Sequence, residues 1–198
     1  MISENFAILK IIIPLSYALQ YIHNKQFIHR DIKPENIVVK HDWTIKLCDF
    51  GLACNKNDLL VKCVGTHEFM APELVRIYNL NDYYTSQYDE RVDIWAFGCL
   101  IFELLIGINP FTQFEYSKVI DNICNKEIFI ESPKISMITV NFIKMCLIKD
   151  YHKRPFMSEL LLHPLIVLNS ENKNKNNRHN SIILPKMLLD NSSLAIEH

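Results

Sequence analysis

Between His29 and Asn36 the chain reads HRDIKPEN. A carboxylate (Asp31), an ammonium (Lys33) and a carboxamide (Asn36) thus fall within one short polar turn. Apolar residues flank it, Tyr21, Ile22, Phe27 and Ile28 before, and Ile37, Val38 and Val39 after. A turn of that composition between two buried elements is where a scaffold can hold a base, a phosphate-binding cation and a metal ligand. Phosphoryl transfer needs that set, because the protein's part in it is positioning and charge neutralisation. A second carboxylate follows in Asp49-Phe50-Gly51, 18 positions after Asp31.

Two β-type runs, Ile37–Lys40 and Thr44–Cys48, are separated by His41-Asp42-Trp43 and predict a small hairpin. Its return strand brings Asp49 back beside Asp31 and Asn36. Three oxygen-bearing side chains meeting at one end can hold Mg²⁺ and orient a hydroxyl. Upstream, Phe6, Leu9, Ile12, Ile13, Leu15, Leu19 and Ile22 recur at helical spacing, which predicts a buried, central helix over about Ser3–Asn24. Pro14 should kink that helix or mark its effective start. Residues 52–68 show no period and read as a mobile loop. A short helix is expected over Leu74–Tyr78, and the polar, Tyr-rich Asn79–Tyr88 as a surface loop. Asp93–Ile106 is the most hydrophobic segment and predicts the core helix, ended by Gly107, Asn109 and Pro110. Further helices are expected at 115–124, 137–147 and 156–162. After Leu168 the tract SENKNKNNRHNS has no apolar anchor. The expected organisation is therefore a folded unit over 1–168 and a disordered Asn/Lys-rich tail over 169–198.

At 198 residues, 49% of them hydrophobic and 22% charged, the chain fits one globular domain with a real core. A net charge of −1 gives no basic field for nucleic acid or a membrane surface. Six cysteines without a CxxC pair read as reduced thiols, and no signal peptide or membrane span is evident. A cytoplasmic or nuclear location is expected, with neither nucleic acid nor membrane as partner.

HRDIKPEN, Asp49-Phe50-Gly51 and Ala71-Pro72-Glu73, in that order and spacing, resemble the eukaryotic protein-kinase family. The resemblance covers roughly Ile2–Leu168. It implies a mainly α fold, the kinase C-terminal lobe, as a helical bundle with a small β-hairpin beside the catalytic loop. Asp31 would accept or orient the proton of the substrate hydroxyl, and Lys33 would neutralise the transferring γ-phosphoryl group of ATP. Asn36 and Asp49 would bind Mg²⁺, and Val38 would touch the nucleotide. A lysine at position 33 is the serine/threonine pattern, so the partner would be a protein with a Ser or Thr acceptor. Thr66 would position the substrate through hydrogen bonds to Asp31 and Lys33. Glu35 and Glu103 match positions where basophilic kinases bind arginine upstream of the acceptor. Glu73 and Arg154 match a buried ion pair, Asp93 would hold the catalytic-loop backbone, and His29 and Phe50 would stack in a regulatory hydrophobic column.

Arg30 belongs to the class of arginine that pairs with a phosphate on the activation loop. No Ser, Thr or Tyr lies between Gly51 and Gly65, which leaves Asp58 as the candidate acidic partner. The 20-residue separation of Glu73 from Asp93 is longer than in common members of the family the chain resembles, which would make Asn79–Tyr88 an insertion. The four glycines, at 51, 65, 98 and 107, all follow the catalytic turn and form no GxGxxG loop. With the catalytic turn only about thirty residues from Met1, the expectation is the phosphotransfer half of a serine/threonine kinase site, with the ATP-binding lobe carried outside this chain. The competing reading is a non-catalytic scaffold or peptide-binding module.

Overall fold

The computed structural model describes residues 2–58, 64–80, 88–113 and 115–176. Its centre is helix α4, Arg91–Ile106, in which 13 residues are buried, on every face. The hydrophobic run therefore becomes the axle of the domain, as the sequence predicts. Gly98 makes close packing possible here. A Cβ at that position would lie 2.6 Å from the Cβ of Cys146 on helix α6 (Met137–Cys146). Trp95 stacks on Phe111 at 5.2 Å, and the Lys149 ammonium lies over both rings. Gly107, at φ 93°, ends α4 in the left-handed conformation that glycine adopts without penalty.

The N-terminal helical stretch is built in three pieces: α1 (Glu4–Ala7), a π-helical turn (Ile8–Ile12) and α2 (Ile13–Asn24). Pro14 sits in the first turn of α2, directly after the π turn. The widened turn absorbs a residue that has no N–H to donate and whose ring would crowd an ordinary helical ladder. The expected kink or restart is thus realised as a change of helical pitch. This stretch is not the central element that its composition suggests. Ala7, Ile12, Leu15 and Leu19 are buried, whereas Tyr17 and Tyr21 are about half exposed. Glu4–Asn24 is long and apolar enough to cross a membrane by length and composition, but its inner face is spent on the protein core.

Strand β1 (Phe27–Ile28) leads into the HRDIKPEN turn, and β2 (Ile37–Val39) pairs antiparallel with β3 (Ile45–Leu47) as the expected hairpin. The segment expected to be a periodless loop is not wholly irregular. Cys54–Asn55 forms β4, antiparallel to β1 with Ile28 opposite Cys54. A two-residue strand is too short to leave an alternating signature in sequence, so backbone pairing rather than side-chain pattern makes it. A 3₁₀ turn, His67–Phe69, then leads to α3 (Pro72–Leu80), which runs past the predicted Tyr78 end. Of the expected 79–88 surface loop, residues 81–87 lie outside the described residues, and Tyr88 is buried.

Helix α5 (Tyr116–Asn125), α6 and α7 (Met157–Leu160) complete the predicted set. Helix α8 (Pro164–Asn176) carries helical backbone eight residues beyond the expected boundary at 168. Leu165 and Ile166 anchor its first turn in the core, and Asn169 donates to the Leu165 carbonyl. The rest of the expected tail, 177–198, lies outside the described residues. The described cysteines, Cys48, Cys54, Cys99, Cys124 and Cys146, are free thiols.

Arg154 is a buried charge that joins α3 to α4. Its guanidinium donates to both oxygens of Glu73, at 2.7 and 3.0 Å, and to the carbonyls of Arg91 and Ile148. It also lies 5.1 Å from the Trp95 ring centroid. A bidentate pair with its remaining donors satisfied is tolerable in the interior, whereas one partner alone is not. Glu73→Ala is therefore expected to cost about 3–5 kcal/mol in urea unfolding. Glu73→Leu combined with Arg154→Met should cost less than the single change. A loss for Glu73→Ala below about 0.5 kcal/mol, as at an ordinary surface site, would show that the pair does not anchor α3.

Candidate active site

The HRDIKPEN turn is suspended from one carboxylate on α4. Asp93 is fully buried, and its two oxygens accept the backbone N–H groups of His29, at 2.9 Å, and Arg30, at 2.8 Å. His23, in the last turn of α2, places Nε2 2.8 Å from the same carboxylate. Arg30 has φ 69°, a left-handed conformation that costs a non-glycine residue roughly 1 kcal/mol. The charge-assisted bonds from Asp93 offset that strain. Fully buried Ile32 pins the far side of the turn.

The side chains that leave this turn converge. The Asn36 amide nitrogen donates to Asp31 twice, to the backbone oxygen at 2.8 Å and to Oδ2 at 3.0 Å. Thr66 donates its hydroxyl to Asp31 Oδ1 at 2.8 Å, and its N–H reaches the same oxygen at 3.2 Å. Lys33 Nζ donates to the Thr66 hydroxyl at 2.9 Å and stands 2.8 Å from Asp31 Oδ2. Gly65 makes this approach possible. At φ 115°, a Cβ there would strike the Arg30 carbonyl oxygen at 2.6 Å. Only a glycine lets the segment carrying Thr66 lie so close to the turn.

Burial works against ionisation of Asp31, but hydrogen bonds from Lys33, Thr66 and Asn36, with the Lys33 charge, outweigh it and hold the carboxyl below its ordinary value. The Lys33 ammonium is raised, chiefly by its hydrogen bond to Asp31, against a smaller effect of burial and with help from Glu35 and Asp49. Asp49 is thus close enough for its field to act on Lys33. Its side chain is exposed, and Oδ1 accepts the N–H of Gly51 at 3.2 Å. Asn36 turns its nitrogen toward Asp31, which leaves the amide oxygen as a hard donor atom. Together with the Asp49 carboxylate it suits a small divalent cation such as Mg²⁺. Among the described residues no group of three His, Cys, Asp or Glu side chains is placed to hold a metal.

Other residues singled out from sequence fall less uniformly. His29 and Phe50 are in contact, with centroids 4.8 Å apart, but edge to face rather than stacked. Phe50 is 48% exposed. Val38, on β2 of the hairpin, is likewise about half exposed. Asp58 does not reach Arg30 as expected. It accepts the N–H of Asn55 at 3.1 Å, capping its own turn. Arg30 instead donates Nε to the Leu52 carbonyl at 2.7 Å and Nη1 to the Tyr88 hydroxyl at 2.9 Å. Glu35 is exposed, while burial raises the Glu103 carboxyl, with Asn109 opposing and Glu35 and Glu68 adding to the rise. Glu35 and Glu68 are thus close enough to Glu103 for their negative charges to act on it.

Sequence reasoning missed Glu68, His23 and Tyr88. For His23 a signal exists: it continues the buried spacing Leu15, Leu19, His23 of α2, where a polar residue needs a buried partner. Tyr88 carries no such signal, since its contact spans 58 residues.

Thr66→Val removes a hydroxyl donor to the ionised form of Asp31, so the Asp31 carboxyl should titrate at higher pH by carbon-13 NMR. Because the folded value lies below the unfolded one, the stability tied to Asp31 is present above the unfolded value and lost as pH falls through the folded one. The variant should therefore begin to lose that stability at a less acidic pH. An unmoved Asp31 titration would remove Thr66 from the cluster.

Residues 1–166 match the sequence profile described as Protein kinase domain. Among similar proteins, an Aurora kinase of Dictyostelium discoideum is 35% identical over 150 residues, 75% of this chain and 37% of that protein. The dual specificity protein kinase zak2 of the same organism is 33% identical over 183 residues, 86% of this chain and 25% of that protein. Serine/threonine-protein kinase Aurora-2 of Arabidopsis thaliana is 34% identical over 158 residues, 79% of this chain and 53% of that protein. The chain thus spans from about a quarter to about half the length of these relatives.

Proposed function

The chain belongs to the protein kinase family, and from that premise we propose that it carries the phosphotransfer half of a serine/threonine kinase site. The observation that supports this most is the closed cluster of Asp31, Lys33, Asn36 and Thr66, in which every side chain is held by another. Electrostatic preorganisation of this kind acts on a developing charge without having to reorganise when it appears.

In this reading Asp31 stays ionised at neutral pH, because its neighbours favour the charged form. A weakly basic carboxylate is suited to orient the acceptor hydroxyl and to take its proton late, once the oxygen has begun to bond to phosphorus. Lys33 would turn from Asp31 Oδ2 toward the transferring phosphoryl oxygens as they approach, since an ammonium can serve both within one short swing. Thr66 would keep Asp31 and Lys33 in register. Mg²⁺, held by Asn36 and Asp49, would neutralise the phosphate charges of ATP when bound. Glu35, Glu68 and Glu103 would favour a protein substrate with basic residues before its Ser or Thr.

The 198 residues contain no glycine-rich loop, and the aliphatic Val38 and Val39 and the ring of Phe50 stand exposed on the hairpin side of the site. We take this face to be the floor of the nucleotide site, roofed by a lobe outside these residues. The natural gene product is expected to transfer phosphate from ATP to a Ser or Thr peptide with upstream arginines. Asp31→Asn should lower its kcat by about 100-fold or more. The isolated 198-residue chain should bind ATP·Mg²⁺ more weakly than about 10 μM. A full rate in Asp31→Asn would refute the role of Asp31, and micromolar nucleotide binding by the isolated chain would refute the half-site reading.

A further inference from the structure

Three parts of the chain meet at Arg30: the catalytic turn, the start of the activation segment and the stretch that leads into α4. The guanidinium bridges them, with Nε on the Leu52 carbonyl at 2.7 Å and Nη1 on the Tyr88 hydroxyl at 2.9 Å. A second link runs parallel to it. Lys56, just beyond β4, donates to Glu90 at 2.6 Å, and its backbone N–H reaches the Gln26 carbonyl at 2.8 Å. The two-residue β1–β4 pairing lies between these links.

The platform that presents Tyr88 and Glu90 is itself fixed. Asp89 accepts the backbone N–H of Arg91 at 2.9 Å and holds its guanidinium at 2.6 Å. That guanidinium is clasped over Tyr151 and Phe156, at 5.0 and 4.6 Å. Tyr88 is 4% exposed. Leu52, Cys54, Asn55 and Lys56 are held by these contacts, and the whole segment between Gly51 and Gly65 contains no Ser, Thr or Tyr to phosphorylate.

We propose that Tyr88 is a positioning residue for the catalytic turn, its hydroxyl occupying the Arg30 contact that a loop phosphate would otherwise make. Glu90 does the matching work at Lys56. A guanidinium gains most from a partner that is already ordered, because little entropy remains to be lost when the bond forms. The catalytic turn is set in this way without phosphorylation of the segment. The proposal rests on the reading of Asp31 as the phosphotransfer site, but the clamp can be tested apart from it.

Hydrogen exchange with mass spectrometry on the 198-residue chain needs no activity. Tyr88→Phe is expected to raise exchange about tenfold for amides of 29–32 and 52–56, the loss of one bond to a charged group, while α6 and the thermal midpoint stay nearly unmoved. Arg30→Gln should do the same, and the double variant should add little to either single change, since the residues act through one contact. Unchanged exchange in Tyr88→Phe, full additivity in the double variant, or an even loss of protection that includes α6 would each overturn the clamp. In the natural gene product, phosphatase treatment should leave the phosphotransfer rate intact. A rate that depends on phosphorylation would overturn the clamp and leave the Asp31 reading standing. A complete lack of transfer would count against the Asp31 reading alone, with exchange still deciding the clamp.

Discussion

A single buried carboxylate holds the site together. Asp93 has no solvent to stabilise its charge, so its oxygens must be met by protein donors, and those donors are the backbone amides of His29 and Arg30 and the ring of His23. Leaving such a group unpaired costs several kcal/mol, on the order of the whole stability of a domain. The HRDIKPEN turn therefore cannot drift from α4 without exposing that cost. Everything that follows in space, the left-handed Arg30, the Asp31 carboxyl, Lys33 and Thr66, inherits its position from this attachment.

Arg154 and Glu73 do for α3 what Asp93 does for the HRDIKPEN turn. Both attachments end on α4, one through its Asp93 side chain and one through the Arg91 carbonyl. The two attachments are thus registered against the same helix, which is buried on every face and cannot rotate without breaking its packing. Gly65 closes the gap between them, since the chain carrying Thr66 must pass within contact of the Arg30 carbonyl. A preorganised cluster follows from helix packing plus two buried charges, with little demand on the loops themselves.

Much of this is legible in the residues. The core helix announces itself by unbroken hydrophobicity, the hairpin by two β-rich runs, and the site by polar residues crowded between apolar ones. The contacts made by Thr66, Asp93, Glu73 and Arg154 follow from family resemblance, because nothing local in the sequence pairs residues 35 to 81 positions apart. What is not legible depends on distance and backbone. The β1–β4 pairing has too few residues to show a period. The partner of Arg30 turns out to be Tyr88 rather than Asp58, because Asp58 is consumed by its own turn. Phe50 stands half exposed, since nothing among the described residues covers its outer face. Helix α8 passes through the start of an Asn/Lys tract that composition alone would leave unstructured, because its first turn is anchored by Leu165 and Ile166.

The claim that Asp93 suspends the catalytic turn is open to one direct measurement, the NMR exchange rates of the His29 and Arg30 amides in Asp93→Asn. An asparagine of the same shape keeps only one acceptor oxygen and turns its nitrogen against a donor. The account predicts that these two amides exchange about 10- to 100-fold faster than in the parent chain, in line with the loss of bonds to a charged acceptor. The amides of α6 should keep their protection. Unchanged exchange at His29 and Arg30 in a folded Asp93→Asn chain would contradict it.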